Sequence, residues 1–187
     1  MRTDIVFGAD FCRDELAALR RYKEHSEELN LALRNQGNMD SWKSELDLLD
    51  RGIKKQRLTQ PVRVYRATSK EYLPEIGSDG VFKDLAYAST ARTNLERGTH
   101  FRHSTANPLL LVIDCPQGAM MAFLEFHDSG QSEDELLLPR GSRFQVWATK
   151  RIGEQRKMLK ATRANKFYTE DWETLHVYYT RLLVEDS

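Results

Sequence analysis

Pro61 divides the chain into two textures, and that division narrows the folds open to it. Ahead of it, apolar residues recur at helical spacing. Asp10 to Arg34 is dense in Leu, Ala, Glu, Arg and Lys, with Leu16, Leu19 and Tyr22 on one face, the pattern of an amphipathic helix. Asn35-Gln36-Gly37-Asn38 interrupts it, and Gly37 is the residue expected to end the helix. Trp42, Leu46, Leu49 and Ile53 then recur at i, i+4, i+7 and i+11, one apolar face of a second helix. Lys54, Lys55 and Arg57 follow, where cations suit the negative end of a helix dipole.

Past Pro61 the period becomes two. Val62-Arg63-Val64-Tyr65-Arg66 puts Val62, Val64 and Arg66 on one side of a strand. Leu85 to Ser89 is short and extended in character, and Leu109 to Cys115 is an apolar strand stopped by Pro116. Met120 to Phe126, Glu135 to Leu138, Phe144 to Ala148 and Thr174 to Val184 are further expected strands, with a Pro139-Arg140-Gly141 turn among them. The basic stretch Lys150 to Lys166 reads as loop or surface helix. Helices first and strands afterwards imply an α+β fold rather than a doubly wound sheet. No linker cuts the chain, so residues 1–187 are expected to form one domain, helical over 1–58 and mainly β over 59–187.

Composition excludes some roles. With 187 residues the chain can bury a real core, and 30% charged residues fit a soluble globular protein. Lys plus Arg and Asp plus Glu are 28 each, so no global field draws the protein to nucleic acid or an anionic membrane. Two cysteines, Cys12 and Cys115, favour a reduced environment over a disulfide framework. No basic segment followed by an apolar one opens the chain, and Leu109 to Ile113 is far shorter than the roughly 20 residues of a membrane span. The sequence has no G-x-G-x-x-G after a strand, no phosphate-binding G-x-x-x-x-G-K-[ST] and no G-x-S-x-G elbow. His100 and His103 lack the companions of a zinc set, and no metal is expected.

Three features remain. Arg66 closes a strand and offers a fork of donors suited to phosphate or carboxylate; an arginine at a strand end can also simply face water. Ser89, in Tyr87-Ala88-Ser89-Thr90, can fix a neighbouring group through its hydroxyl, although such pairs are also ordinary turn chemistry. Glu133 and Glu135 fall on one side of an extended Glu133-Asp134-Glu135, a pair able to divide two roles, or a solvated acidic loop.

Together, Arg66, then Ser89-Thr90, then Glu133-x-Glu135 running into Leu136-Leu137-Leu138-Pro139-Arg140-Gly141 resemble the arginine–serine–glutamate class of mono-ADP-ribosyltransferases, which includes many bacterial toxins. Leu29-Asn30-Leu31-Ala32-Leu33-Arg34 is similar to that class's helical region, and Val64-Tyr65-Arg66-Ala67 to its first strand. Ala91 and Ala67 depart from it, standing where many members have serine and glycine. The resemblance implies two roughly perpendicular β-sheets around an NAD cleft, with helices on the N-terminal side. It implies Glu135 as the residue that stabilises the ribosyl cation, Ser89 as its orienter and Arg66 as the grip on the NAD phosphates. Thr90, Phe101 and Arg102 are implied as further cofactor contacts, with a place in the core as the other reading of Phe101, and Glu133 as the residue that addresses an arginine on a target protein.

The expected function is therefore NAD-dependent ADP-ribosylation by a secreted effector acting inside a target cell, with an immunity protein as a possible partner. Other readings change the acceptor to nucleic acid, a small molecule or water, or assign the enzyme to a phage. Lys54-Lys55-Gln56-Arg57, Lys150-Arg151 and Arg156-Lys157 are the basic segments that the nucleic-acid version needs. A binding module without catalysis is the remaining alternative.

Overall fold

The computed structural model describes residues 6–8, 10–37, 39–92, 107–124, 135–153 and 174–184. The helical part comprises α1 (Arg13–Arg34) and α2 (Lys43–Lys54), the latter entered through a 3₁₀ turn at Asp40–Trp42. Two short strands bracket them, β1 (Val6–Gly8) and β2 (Gln56–Leu58), paired antiparallel as a small sheet of their own. Then come β3 (Val62–Ser69), β4 (Val81–Lys83), β5 (Ala88–Ala91), β6 (Pro108–Cys115), β7 (Ala122–Phe123), β8 (Glu135–Leu138), β9 (Arg143–Gly153) and β10 (Thr174–Leu183). The order of helices first and strands afterwards thus produces the α+β fold that it implies.

Hydrogen bonding runs unbroken through eight strands in the order β4-β9-β10-β6-β3-β5-β8-β7. β6 and β10 are parallel and their neighbours antiparallel, so the sheet is mixed. The join between β3 and β5 is narrow, a single residue pair, Tyr65 with Ala91. It separates a five-stranded half from the three strands β5, β8 and β7. The two sheets implied by the resemblance correspond to these two halves of one continuous sheet.

Side-chain alternation sorts the strands into layers. Leu109, Leu111 and Ile113 of β6 share a core with Val64, Phe82, Phe144 and Leu182 from their own half and with Ala88, Leu136 and Leu138 from the other. Phe82 and Phe144 stack there at 5.0 Å. The two halves therefore pack face to face over one apolar layer. Leu137 points the opposite way and packs with Leu19, Tyr22, Leu29, Leu49 and Ile53 of the helices, while Leu110 and Val112 join Leu175 and Val177 on the far face of the larger half.

The apolar spacing expected of α2 is the one observed, with Leu46, Leu49 and Ile53 buried. Gly52 sits where the helices approach: a Cβ there would stand 3.2 Å from the ring of Phe11. Other expectations shift. α1 ends through Gln36, a non-glycine residue with positive φ (49°), rather than through Gly37, whose N–H reaches back to the Ala32 carbonyl at 3.2 Å. Lys150 to Gly153 continues β9 instead of opening a loop, because β10 pairs with it as far as Thr174–Gly153. The strand expected from Met120 is, within the described residues, only Ala122–Phe123, with Met120 bridging separately to Arg57. Leu85 and Ala86 bend, so extension starts at Ala88.

The helices are tied together by Glu15, which is fully buried. Its carboxylate accepts from Cys12 N at 2.9 Å, Arg51 Nε at 2.8 Å and Lys55 Nζ at 2.7 Å, linking the start of α1 to the end of α2. Burial pushes this carboxyl up, but the hydrogen bonds from Lys55, from the Cys12 backbone and from Arg51 together hold it down at about 2. A depressed folded-state value means that its stabilisation is complete above the unfolded value of 4.5 and is lost as pH falls towards about 2. Urea midpoints of the native protein should therefore fall across that window. Glu15→Gln should be less stable at neutral pH by about 1–3 kcal/mol and should show a flatter profile below the unfolded value.

Candidate functional site

The site is assembled by the register of β5 against β8. Ser89 lies opposite Leu137 and Ala91 opposite Glu135, so all four side chains emerge on the face turned towards the helices. Ser89 and Glu135 are diagonal neighbours, close enough for a serine hydroxyl to bond a glutamate, and the Ser89 hydroxyl donates to Glu135 Oε1. The backbone of Glu135 is held as well, its carbonyl accepting from Leu124 N at 3.0 Å. The glutamate is 8% exposed, at the rim rather than in bulk water. Its second oxygen, Oε2, faces the Lys23 ammonium of α1 at 3.5 Å.

Thr90 takes the other face. It is buried, and its Oγ1 donates to the Leu136 carbonyl at 2.7 Å. Alternation along β5 thus gives two neighbouring hydroxyls different tasks: Ser89 engages the carboxylate, and Thr90 fastens β5 to β8 from the side of the core.

Arg66 lies on the core side of β3, in register with Leu111, and its guanidinium reaches the segment leading into β5. It donates to the Tyr87 carbonyl at 3.4 Å and stands 3.9 Å from Asp84 Oδ2. Arg34, from the last turn of α1, donates to the same oxygen at 3.3 Å. Two guanidiniums therefore share one carboxylate, and the Nε of Arg34 is buried with no hydrogen-bond partner among the described residues. Burial pushes Arg66 below the ordinary arginine value, Asp84 opposes that shift and Arg34 adds to it; arginine nevertheless stays protonated. The cluster carries one positive charge in excess and an unsatisfied donor, the electrostatic description of an anion site.

Tyr22 joins the two groups. Its phenol feels the charges of Arg66, Glu135 and Arg34, and burial pushes it up to about 12, against the lowering effect of its hydrogen bond with Asn30. It is therefore a neutral wall. Asn30 Nδ2 donates to its oxygen at 3.0 Å, and Asn30 Oδ1 accepts from Tyr87 N at 3.2 Å. The rings of Tyr22 and Tyr87 meet edge to face at 5.5 Å. On the far side, the Tyr87 hydroxyl donates to Asp50 Oδ1 at 2.7 Å, and Asp50 Oδ2 accepts from Arg140 Nη2 at 2.7 Å. That strut borders a separate cavity of about 460 Å³, lined by Lys54, Lys83 and Arg143 but not by Arg66, Ser89 or Glu135.

Of the residues singled out from sequence, Ser89 and Glu135 are brought into contact, and Arg66 lies within electrostatic reach of the same tyrosine as Glu135. Glu133, Phe101 and Arg102 lie outside the described residues, as do His100 and His103. The sequence assigns no site role to Arg34, Asp84, Asn30 or Lys23, although Asn30 and Arg34 fall in the segment similar to the class's helical region. The signal for Asn30 was present, a polar residue inside the apolar stripe of Leu29 and Leu33. Asp84 gave none, because its importance comes only from two arginines that reach it from other elements. Among the described residues no three His, Cys, Asp or Glu side chains converge as a metal site would require, and no helix is long and apolar enough to cross a membrane.

Residues 7–170 match the sequence profile of a family described as ADP-ribosyltransferase exoenzyme. No curated protein sequence matches the chain. Among solved structures, the chain is similar to Plx2a, an ADP-ribosyltransferase toxin from Paenibacillus larvae (TM-score 0.67, 19% identity, 93% of this chain and 88% of that one). C3stau2 from S. aureus, solved with NAD, gives 0.68 at 15% identity over 95% and 90% of the two chains. The enzymatic component C2-I of the C2-toxin from Clostridium botulinum gives 0.68 at 17% identity, covering 92% of this chain but 44% of that one. At such identities the likeness establishes the fold.

The amide of Asn30 should prove structurally expensive to replace. Asn30→Leu leaves the buried Tyr87 N–H without an acceptor and the Tyr22 hydroxyl without a donor, and is expected to cost about 2–3 kcal/mol in urea unfolding.

Proposed function

The chain belongs to the ADP-ribosyltransferase exoenzyme family, and from that premise we propose that it cleaves NAD between nicotinamide and ribose and transfers the ADP-ribose to arginine on a target protein. The observation that carries this reading is the Ser89–Glu135 hydrogen bond, with Tyr22 feeling the charges of Glu135 and of the arginines of the Arg34–Asp84–Arg66 cluster. A carboxylate oriented by a hydroxyl beside a cationic cluster suits a substrate that joins a glycosidic bond to a diphosphate.

In this reaction the C–N bond to nicotinamide breaks, and its electron pair leaves with the ring, which becomes neutral. The ribose is left with oxocarbenium character, as in glycoside hydrolysis. Glu135 stabilises that growing positive charge and accepts a ribose hydroxyl, and Ser89 keeps the carboxylate from rotating away. Arg66 and Arg34 grip the diphosphate; the orphaned Nε of Arg34 gains a partner when a phosphate oxygen arrives. Thr90, already hydrogen-bonded within the sheet, acts on the nucleotide only by holding Ser89 in register.

The acceptor nitrogen attacks the same ribose carbon, a new C–N bond forms and one proton must leave. Protonated arginine is a poor nucleophile until a base engages it. Glu133 has that role, two residues before Glu135 in the sequence, and Phe101 and Arg102 contribute further contacts to the nucleotide. The similarity to toxins supports an effector delivered to a target cell, where water replaces arginine as acceptor whenever no target is engaged.

Labelled NAD incubated with purified protein and a lysate separates the steps. Glu135→Gln should reduce both transfer and NAD hydrolysis by about 10²–10³-fold. Glu133→Gln should suppress transfer to arginine while leaving hydrolysis measurable. Arg66→Lys, which keeps the charge but loses the fork, should raise KM for NAD about tenfold. Full transfer in both glutamate variants would overturn the assignment.

A further inference from the structure

We propose that the cavity lined by the end of α2, the end of β4 and the turn from β8 into β9 is a second anion site, which takes a phosphate group carried on a small organic molecule. It is distinct from the arginine cluster and does not depend on the NAD reading.

The pairing of β4 with β9 sets Lys83 directly opposite Arg143. Side chains so placed share one face of a sheet, and two like charges there repel. Both residues line the cavity, and so does Lys54, the last residue of α2. All three are exposed, and among the described residues none of their side chains has a hydrogen bond or an ion pair. Arg140 is a fourth cation in the lining, and it is already paired with Asp50, the one carboxylate there, at 2.7 Å. Three positive charges therefore converge without a counter-charge on a space of about 460 Å³, the size of a small-molecule site.

The basic run Lys54-Lys55-Gln56-Arg57 is divided by the fold. Lys55 turns to Glu15 at 2.7 Å, and Arg57 donates to the Lys54 carbonyl at 2.6 Å, so Lys54 alone of the three cations faces the cavity. A nucleic acid would need cations in a row along its backbone. Here they gather around one concave place.

The wall opposite Lys54 is preformed. Gly141 stands at φ 77°, and its N–H donates to the Asp84 carbonyl at 2.8 Å. Asp84 N donates to the Ser142 carbonyl at 3.0 Å, and the Ser142 hydroxyl to the Pro139 carbonyl at 2.6 Å. A Cβ at Gly141 would stand 3.4 Å from Lys83 Cε, so the lysine stem lies against this turn. A ligand arriving here has little backbone to order. The lining also selects its chemistry. Lysine ammoniums act as point charges and Arg143 presents a fork, and both suit phosphate oxygens. Leu85, Met120 and Leu183 add apolar surface for an organic body.

The test is a heteronuclear NMR titration of the whole chain at low ionic strength with phenyl phosphate, inorganic phosphate and phenol, following the amides of Lys83, Gly141 and Ser142. Phenyl phosphate should shift them saturably, and phenol should shift none. Lys83→Met combined with Arg143→Met should weaken that binding about 10²-fold, tenfold for each cation removed. Its urea midpoint in phosphate-free buffer should not fall, because a cross-strand repulsion has gone. Lys83→Arg combined with Arg143→Lys should keep the affinity, and Arg34→Met, which disables the other cluster, should leave it unchanged. Inorganic phosphate should bind more weakly than phenyl phosphate; equal affinity would overturn the organic body. The site itself is overturned if no cavity amide shifts, or if the folded double methionine variant binds as the wild type does. It is equally overturned if Arg34→Met removes the shifts, which would place the anion at the arginine cluster alone.

Discussion

A slip of β8 by one residue against β5 would turn Glu135 into the apolar layer, away from Ser89, and bring Leu136 out to the helices. The period of a strand leaves no intermediate position. What prevents the slip is distributed across both faces. On the inner side, Ala88, Leu136 and Leu138 fill the layer shared with β6 and β9, and the Thr90 hydroxyl bonds the Leu136 carbonyl within that dry environment. On the outer side, Leu137 is covered by the helices. The polar pair at the site is thus held by residues with no chemistry of their own, and β5 and β8, at four residues each, can be that short because both of their faces are packed.

The helices do more than cover the sheet. α1 delivers Tyr22, Lys23, Asn30 and Arg34 to the strands, and each meets a different group there: the Tyr87 ring, the Glu135 carboxylate, the Tyr87 N–H and the Asp84 carboxylate. Tyr87 is the common anchor. Its backbone carbonyl accepts from Arg66, its N–H from within the helix layer is taken by Asn30, and its hydroxyl is held by Asp50. Burial together with the Asp50 carboxylate pushes that phenol far above the ordinary tyrosine range, so it is a hydrogen-bond donor and nothing else. One residue between two strands therefore couples α1, α2 and the arginine of β3.

How much of this could be read in advance depends on whether a residue's role is local. The α+β order, the apolar run of β6 and the face of α2 follow from periodicity, because each element needs only its own sequence to bury its own stripe. Ser89 and Glu135 were legible through the resemblance and through the Leu136-Leu137-Leu138 run that marks a buried strand. The end of α1 was misjudged by one residue, since helix termination relies on carbonyls finding donors and Gln36 can adopt the left-handed conformation as Gly37 could. The extension of β9 through Lys150 and Arg151 was misjudged because exposed basic residues look the same in a strand and in a loop; only the partner strand β10 decides. Nothing local in α1 marks what Arg34 and Lys23 touch, because their partners are carboxylates 50 and 112 residues further along the sequence.

Two guanidiniums on one carboxylate also have a thermodynamic corollary. An excess charge beside an orphaned donor is not left bare in solution; it recruits whatever small anion the medium provides. On the proposed reading, nucleotide binding at Arg34, Asp84 and Arg66 is then an exchange of counter-ions. Its apparent strength becomes a property of the buffer as much as of the protein: weaker in phosphate or sulfate, which compete for the same fork of donors, and stronger in a medium of bulky, poorly coordinating anions. The single carboxylate of Asp84 sets the size of that effect, since it neutralises one of the two arginines and leaves the other to the solution.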